Sequence, residues 1–383
     1  MRILEAMLAG PLWALDEGSE QEVKEGSGDQ AVPVCPMAER KAVHNNVTAH
    51  EQSKEEPGDY TEYLNLHSIL PSETDRQTTA THDEQLFKTT HQTFELWFNQ
   101  VLSEIDSVIP MLMATTQEEQ TQAGLRSLGV VERRLGRVVK ILDLCCSQFE
   151  ILRTMTALDF TEFRAGLGTA SGFQSWQFRL IENKLGLQPE ARVGMGADYK
   201  GAIACPHLQE MLSDSETGVT LRQAVEHWLQ VFRPSLAVVS SRDWAQVLSR
   251  IHAAYGADSH FAALVTPSDK RPGVSYNSLS PAALQSALAI NMLRDLPQLQ
   301  MAHSILTQLI DIDAKVQSWR FQHLQLVNKQ MGAKRGTYGT SGYHYLHATC
   351  SKRMMVFQDL ADLSSLLLPT ADLPESFRTQ NEF

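Results

Sequence analysis

The feature that most restricts the fold of this chain is a stripe of positions, Phe87, His91, Phe94, Phe98, Val101, Ile105 and Val108, recurring in alternating steps of four and three. That spacing collects side chains on one face of an α-helix, and the run is too long for a globular strand. A second stripe, Ile305, Leu309, Ile312, Val316, Trp319, His323 and Leu326, has the same steps. Long helices with one apolar face must bury it against other helices, which predicts an all-α fold: a large helical bundle. Each stripe is interrupted by a single ring nitrogen pair, His91 in the first and His323 in the second.

Further helices follow from the same reasoning. A second long helix is expected from about Ala123 to Phe163, packed antiparallel on the first, and a short one over YTEYLNLHSIL from Tyr60. SPAALQSALAINMLRDL starts a helix, with Ser280 as cap and Pro281 at the first position. Gly332 ends the stripe that carries His323, and a final helix is predicted from YHYLHATC to the residues before Pro369. Residues 189–279 are less regular and read as a variable helical excursion, with helices near Leu221–Phe232 and Trp244–Tyr255. Residues from about Asp16 to Pro57 are acidic and polar, too poor in large apolar side chains to offset ordering entropy, and residues 1–57 are expected to form a disordered leader. The bundle then spans 58–369 and a tail 370–383. No convincing alternating strand and no internal repeat is found.

Composition removes several classes of function. The net charge of −12, without a long basic cluster, argues against nucleic acid as partner. No stretch approaches 18 uninterrupted apolar residues, so no membrane span is expected. The five cysteines include no CxxC pair and no zinc spacing, as expected of reduced thiols in a cytoplasmic protein. MRILEAMLAGPLWAL resembles a signal peptide only faintly, since Glu5 interrupts it and no small-residue cleavage site follows.

A histidine on a core stripe is more often packed and bonded to a neighbouring carbonyl than it is a ligand. Two such residues on separate long helices could instead face each other across a metal or haem cavity, and spacing does not choose between these. Arg164, after Phe160 and Phe163 in DFTEFR, is either a snorkelling surface cation or a bidentate grip for a substrate carboxylate. GAKRGTYGTSG fails the Walker pattern; it is a flexible connector or a lid whose Thr337, Thr340 and Ser341 offer hydroxyls. His344, His347 and Cys350 lack the C-x-x-C-H of covalent haem attachment and read as packing and surface residues.

Several separate blocks carry a resemblance: YTEYLNL; HDEQLFKTTHQTFELWFNQVLSEIDSV; QFEILRTMTALDFTEFRAGLGTASGFQSWQFRLIENKLG; and WRFQHLQLVNKQMGAKRGTYGTSGYHYL. Together they resemble the tryptophan 2,3-dioxygenase family from about Tyr60 to Pro369, most weakly between Pro189 and Leu279. The resemblance implies a haem b enzyme of the kynurenine pathway of tryptophan catabolism. It would insert O2 across the indole C2–C3 bond of L-tryptophan, giving N-formylkynurenine. Residue by residue, it implies His323 as the axial iron ligand and His91 as the distal histidine beside the indole N–H. It implies Arg164 at the substrate carboxylate, Thr337 near the ammonium, and Phe87 and Phe160 as walls around the indole. Tyr60 and Tyr63 match tyrosines that complete a neighbouring subunit's pocket, which implies a homotetramer.

Two departures stand out. The family loop usually reads GTGGSSG, whereas Tyr338 replaces a glycine here, and Gln85 stands where a histidine is common. A related monooxygenase or peroxygenase acting on a modified indole or aromatic amino acid in natural-product biosynthesis is therefore a rival reading. The tyrosine-hydroxylating branch is disfavoured, because His347 and Cys350 are three apart rather than the four of its HxxxC element. A catalytically silent haem sensor is a third reading, weakened by the presence of His91, Arg164 and Thr337.

Overall fold

A computed structural model describes residues 58–70, 72, 81–115, 122–192, 198–232, 240–256, 259–266, 278–332, 334 and 342–381. The leader, Thr337, Tyr338 and most of the GTYGTSG loop lie outside the described residues. Among the described residues there is no strand, and the all-α expectation holds.

The chain opens with two short helices, α1 (Tyr60–Tyr63) and α2 (Leu66–Ile69), neither of which buries a residue. Next comes α3 (His82–Met113), where Thr81 caps the start by accepting a bond from the Glu84 N–H. Its predicted stripe is the buried face: Phe94, Phe98, Val101, Ile105 and Val108 all lie in the core. The second long helix, α4 (Gln122–Leu152), runs antiparallel to α3, with Thr93 Oγ1 donating to Gln148 Oε1 at 3.2 Å and Arg137 paired with Glu104.

The helix expected to continue to Phe163 instead stops at Leu152 and restarts as α5 (Ala157–Arg164). The cause is a capping box. Asp159 N–H donates to Thr156 Oγ1 at 3.2 Å and Thr156 N–H donates to Asp159 Oδ2 at 2.8 Å, which satisfies the orphan donors of a new helix start.

A helix that periodicity did not indicate follows, α6 (Trp176–Leu185). Ser175 caps it, and Gly186 at φ 113 ends it where any Cβ would lie 2.8 Å from the Cβ of Arg222. The excursion contains α7 (Pro206–Thr217), α8 (Leu221–Phe232), α9 (Ser241–Tyr255) and α10 (Ser259–Val265); the second and third of these match the predicted helices. Then come α11 (Pro281–Met292), capped by Ser280 as expected, and α12 (Gln300–Met331), which ends at Gly332.

Helix α12 lies alongside α4 and parallel to it. Arg153 Nη1 donates to Gln322 Oε1 at 3.2 Å and Lys329 Nζ to the Arg153 carbonyl at 3.0 Å. Helices α3, α4 and α12 thus form the central bundle, with α5, α6 and α13 (Gly342–Thr349) closing one end. The predicted final helix is broken after Thr349 into a 3-10 turn (Lys352–Met354), α14 (Gln358–Asp362) and a second 3-10 turn (Leu363–Leu366). Buried Asp313 of α12 explains the break, since its carboxylate accepts the Val356 N–H at 3.0 Å and the Phe357 N–H and so captures donors that a continuous helix would use. The tail carries α15 (Glu375–Asn381), whose buried Phe377 ring lies 6.4 Å from that of Trp244. Cys145, Cys146 and Cys350 are free thiols as expected, whereas Cys205 is disulfide-bonded, so the expectation of reduced cysteines fails there.

Candidate active site

The closed end of the bundle encloses a cavity of about 950 Å³. Helix α3 supplies Phe87, His91, Phe94 and Phe98, α4 supplies Phe149, and α12 supplies Trp319 and His323. The two histidines singled out from the stripes therefore share one cavity, joined by Phe160 and Arg164 of α5. Tyr60 and Tyr63 are not among its lining residues; on α1 each is 73% exposed.

His91 Nδ1 lies 2.8 Å from the Phe87 carbonyl, one turn back on the same helix. A carbonyl only accepts, so Nδ1 carries the proton and donates, which leaves Nε2 of the neutral ring with a free lone pair. Burial lowers the His91 pKa, opposed by that bond and by Glu95, and so favours the neutral ring. Rings surround it: Phe87 lies 4.1 Å away between centroids and Phe94 6.2 Å away edge-on. Phe87 in turn meets Phe160 at 5.9 Å and Phe163 at 5.5 Å.

His323 stands between Trp319, at 5.3 Å, and Phe149, at 6.2 Å. Burial, with smaller contributions from His91 and Arg179, pushes its pKa down to about 4, so at neutral pH it is an uncharged imidazole. No hydrogen bond to it is present among the described residues. A neutral ring nitrogen facing a cavity is the form that binds a transition metal. Among the described residues no group of three or more His, Cys, Asp or Glu has metal-holding geometry. A metal on His323 would therefore have to arrive with most of its ligands supplied by a cofactor.

Another part of the cavity lining is built from charge. Glu182 of α6, only 2% exposed, is bonded by Arg179 Nη1 at 2.8 Å, by Arg192 Nη2 at 3.1 Å and by Arg320 Nη2 at 2.6 Å. Arg320 Nη1 also donates to the Met354 carbonyl at 3.1 Å. Burial alone would raise the Glu182 pKa, but Arg179, Arg192 and Arg320 together hold it well below the carboxylate range. Arg179, Glu182, Arg320 and Tyr345 all line the cavity. Nε of Arg179, Nε of Arg320 and Nε1 of Trp319 are buried donors with no hydrogen-bond partner. Buried polar groups are rarely left this way, so the wall is suited to an anionic group that accepts from it. Sequence reading missed this wall entirely. Its one legible signal was the Ser175 and Gly186 pair that brackets α6.

Comparison with known proteins decides the family. The family described as Tryptophan 2,3-dioxygenase matches residues 44–259 and 260–367. This chain belongs to the tryptophan 2,3-dioxygenase family. Tryptophan 2,3-dioxygenase A of Danio rerio is 34% identical to it, covering 91% of this chain and 95% of that protein. Tryptophan 2,3-dioxygenase B of Danio rerio is 35% identical, over 82% of this chain and 83% of that protein. Tryptophan 2,3-dioxygenase of Anopheles gambiae is 36% identical, over 89% and 93%. The family match spans both the bundle and the excursion, so α7 to α10 are part of the tryptophan 2,3-dioxygenase body. No helix among the described residues is long and apolar enough to cross a membrane.

Proposed function

We propose that this chain holds haem b through His323 and inserts O2 across the indole C2–C3 bond of L-tryptophan to give N-formylkynurenine, the entry to the kynurenine pathway. One observation carries the reading: two neutral histidines from different helices share a cavity with aromatic walls, with Arg164 beside them. The residues fit haem. The lone imidazole of His323 would hold the iron, and the aromatic lining would suit a macrocycle. The unpartnered donors of Arg179, Arg320 and Trp319 suit its carboxylates. Haem, when bound, supplies the site at which O2 is bound and activated.

The side chains of the protein do the rest. His91 has its Nδ1 proton committed to the Phe87 carbonyl, so its Nε2 accepts a hydrogen bond from the indole N–H and orients the ring. Arg164 grips the substrate carboxylate, and its position at the C-terminal end of α5 adds a favourable charge–dipole interaction to its anchoring. Thr337 serves the ammonium from the loop outside the described residues. Phe87 and Phe160 hold the indole face and exclude water from it.

Tyr60 and Tyr63 enter a neighbouring subunit's site in a homotetramer, a reading supported by their exposure on a helix pair that buries nothing. A lone subunit would then have an incomplete pocket. A cytoplasmic location is favoured by the free thiols at Cys145, Cys146 and Cys350 and opposed by the disulfide at Cys205. The rival monooxygenase reading draws on Tyr338, a phenol where the family loop usually has glycine. Purified, haem-loaded ferrous protein given L-tryptophan in air should accumulate the N-formylkynurenine absorbance. Turnover only with a substituted indole would favour the rival.

A further inference from the structure

The charged wall is more elaborate than an anion site requires. Three arginines converge on both oxygens of a single carboxylate, and their side chains are 4%, 7% and 13% exposed around a Glu182 at 2%. The guanidinium of Arg192 does not line the cavity; it stands behind Glu182, also bonded to Asn183 Oδ1 at 2.9 Å and lying 4.9 Å over the Tyr199 ring. Neighbouring carboxylates are engaged elsewhere: Glu216 pairs with Lys200 at 2.8 Å, and Asp313 accepts the Val356 and Phe357 N–H groups. The cluster thus fixes a set of poorly screened charges along the cavity that the two histidines also line.

Reduction of a haem iron adds one electron, supplied here by an external mediator, and transfers no proton or atom. Fixed positive charge nearby favours the reduced form and fixed negative charge the oxidised form, most strongly where water does not screen them. We propose that the Arg179–Glu182–Arg320–Arg192 cluster sets the reduction potential of the iron site. Glu182 is the positioning residue that holds Arg179 and Arg320 against the cavity, and Arg192 balances its charge from behind. The inference rests on the haem reading above.

The test is a spectroelectrochemical titration of the haem-loaded full-length protein and its variants. Glu182→Gln removes a negative charge and should raise the potential. Arg192→Gln removes a positive charge and should lower it. Each should change the ferric-to-ferrous equilibrium constant at least about threefold, where tenfold corresponds to about 59 mV for one electron. Arg192→Lys keeps the charge while losing the planar fork, so it should stay near the wild type. A purely structural cluster predicts shifts of one sign in both Gln variants, since each loosens the same arginines, and that outcome or the absence of any shift would overturn the proposal. Should Glu182→Gln fail to fold, Arg192→Gln against Arg192→Lys decides alone: equal potentials sink the electrostatic role. Wild-type protein that retains no haem would instead count against the functional reading itself.

Discussion

The two walls of the cavity were made by different physics. The wall carrying His91 and His323 grows from helix stripes whose apolar members, Phe94, Phe98, Val316 and Leu326 among them, are buried in the core. Each such side chain contributes about 1.5–3 kcal/mol by leaving water, so the stripes would be selected for folding alone and the histidines ride on them. The wall carrying Arg179, Glu182 and Arg320, with Arg192 behind it, gains little net stability from burial, because the desolvation of four charges offsets most of their attraction. A chain needing only a core would place apolar residues there. The contrast teaches that the first wall is scaffold first and site second, whereas the second wall exists for what it faces.

The largest effect is expected at His323. His323→Ala is expected to lose haem retention while helical content by circular dichroism stays near the wild type; normal haem content in the variant would remove the ligand assignment. On the scaffold side, Phe98→Ala deletes a ring 5.4 Å from Phe178 and 5.9 Å from Trp319, and should destabilise the fold by about 3–5 kcal/mol in denaturant titration. A loss below about 1 kcal/mol would mean that this wall is not the core the stripe implies.

Arg164→Ala probes recognition of the substrate carboxylate. It should lower kcat/KM for L-tryptophan about 30- to 100-fold, the equivalent of about 2–3 kcal/mol for a charge-assisted contact. An indole substrate lacking the carboxylate should be turned over equally by both proteins, and an equal penalty on the two substrates would count against the carboxylate grip.

The smallest effect is a pH dependence at the back of the charged wall. Burial raises the Asp313 pKa to about 6, against the bonds from Val356 and Phe357 and the nearby Arg320. With the folded value above the ordinary one, the stability Asp313 contributes is present in full below about pH 4 and is lost as pH rises through 6. The stability of wild type minus that of Asp313→Asn should therefore fall by on the order of 2 kcal/mol from pH 4 to 7. A difference that grows with pH would show that the carboxylate is stabilised by its bonds rather than opposed by burial.

Legibility in the sequence followed the same division. The stripes of α3 and α12, the Ser280 cap and the Gly332 stop could be read because local spacing and local capping determine them. The pairing of His91 with His323 could be raised as a possibility, but only the packing of α3 and α12 on α4 brings them to one cavity. Helix α6 was invisible to periodicity because Gln177, Arg179, Glu182 and Asn183 are buried on it, and polar residues signal solvent to any hydrophobic pattern. The break before α5 was written in the Thr156 and Asp159 capping box, inside a run whose apolar content suggested continuity. The break after Thr349 was not written locally at all, since Asp313 of α12 makes it.

In the proposed reading, His323 and His91 frame a haem site that dioxygenates L-tryptophan. The direct measurement is mass spectrometry of the product formed by the ferrous, haem-loaded enzyme from L-tryptophan under 18O2. Two labelled oxygens in a product with the mass of N-formylkynurenine are expected; a product carrying one labelled oxygen, or none formed from L-tryptophan, would contradict the claim.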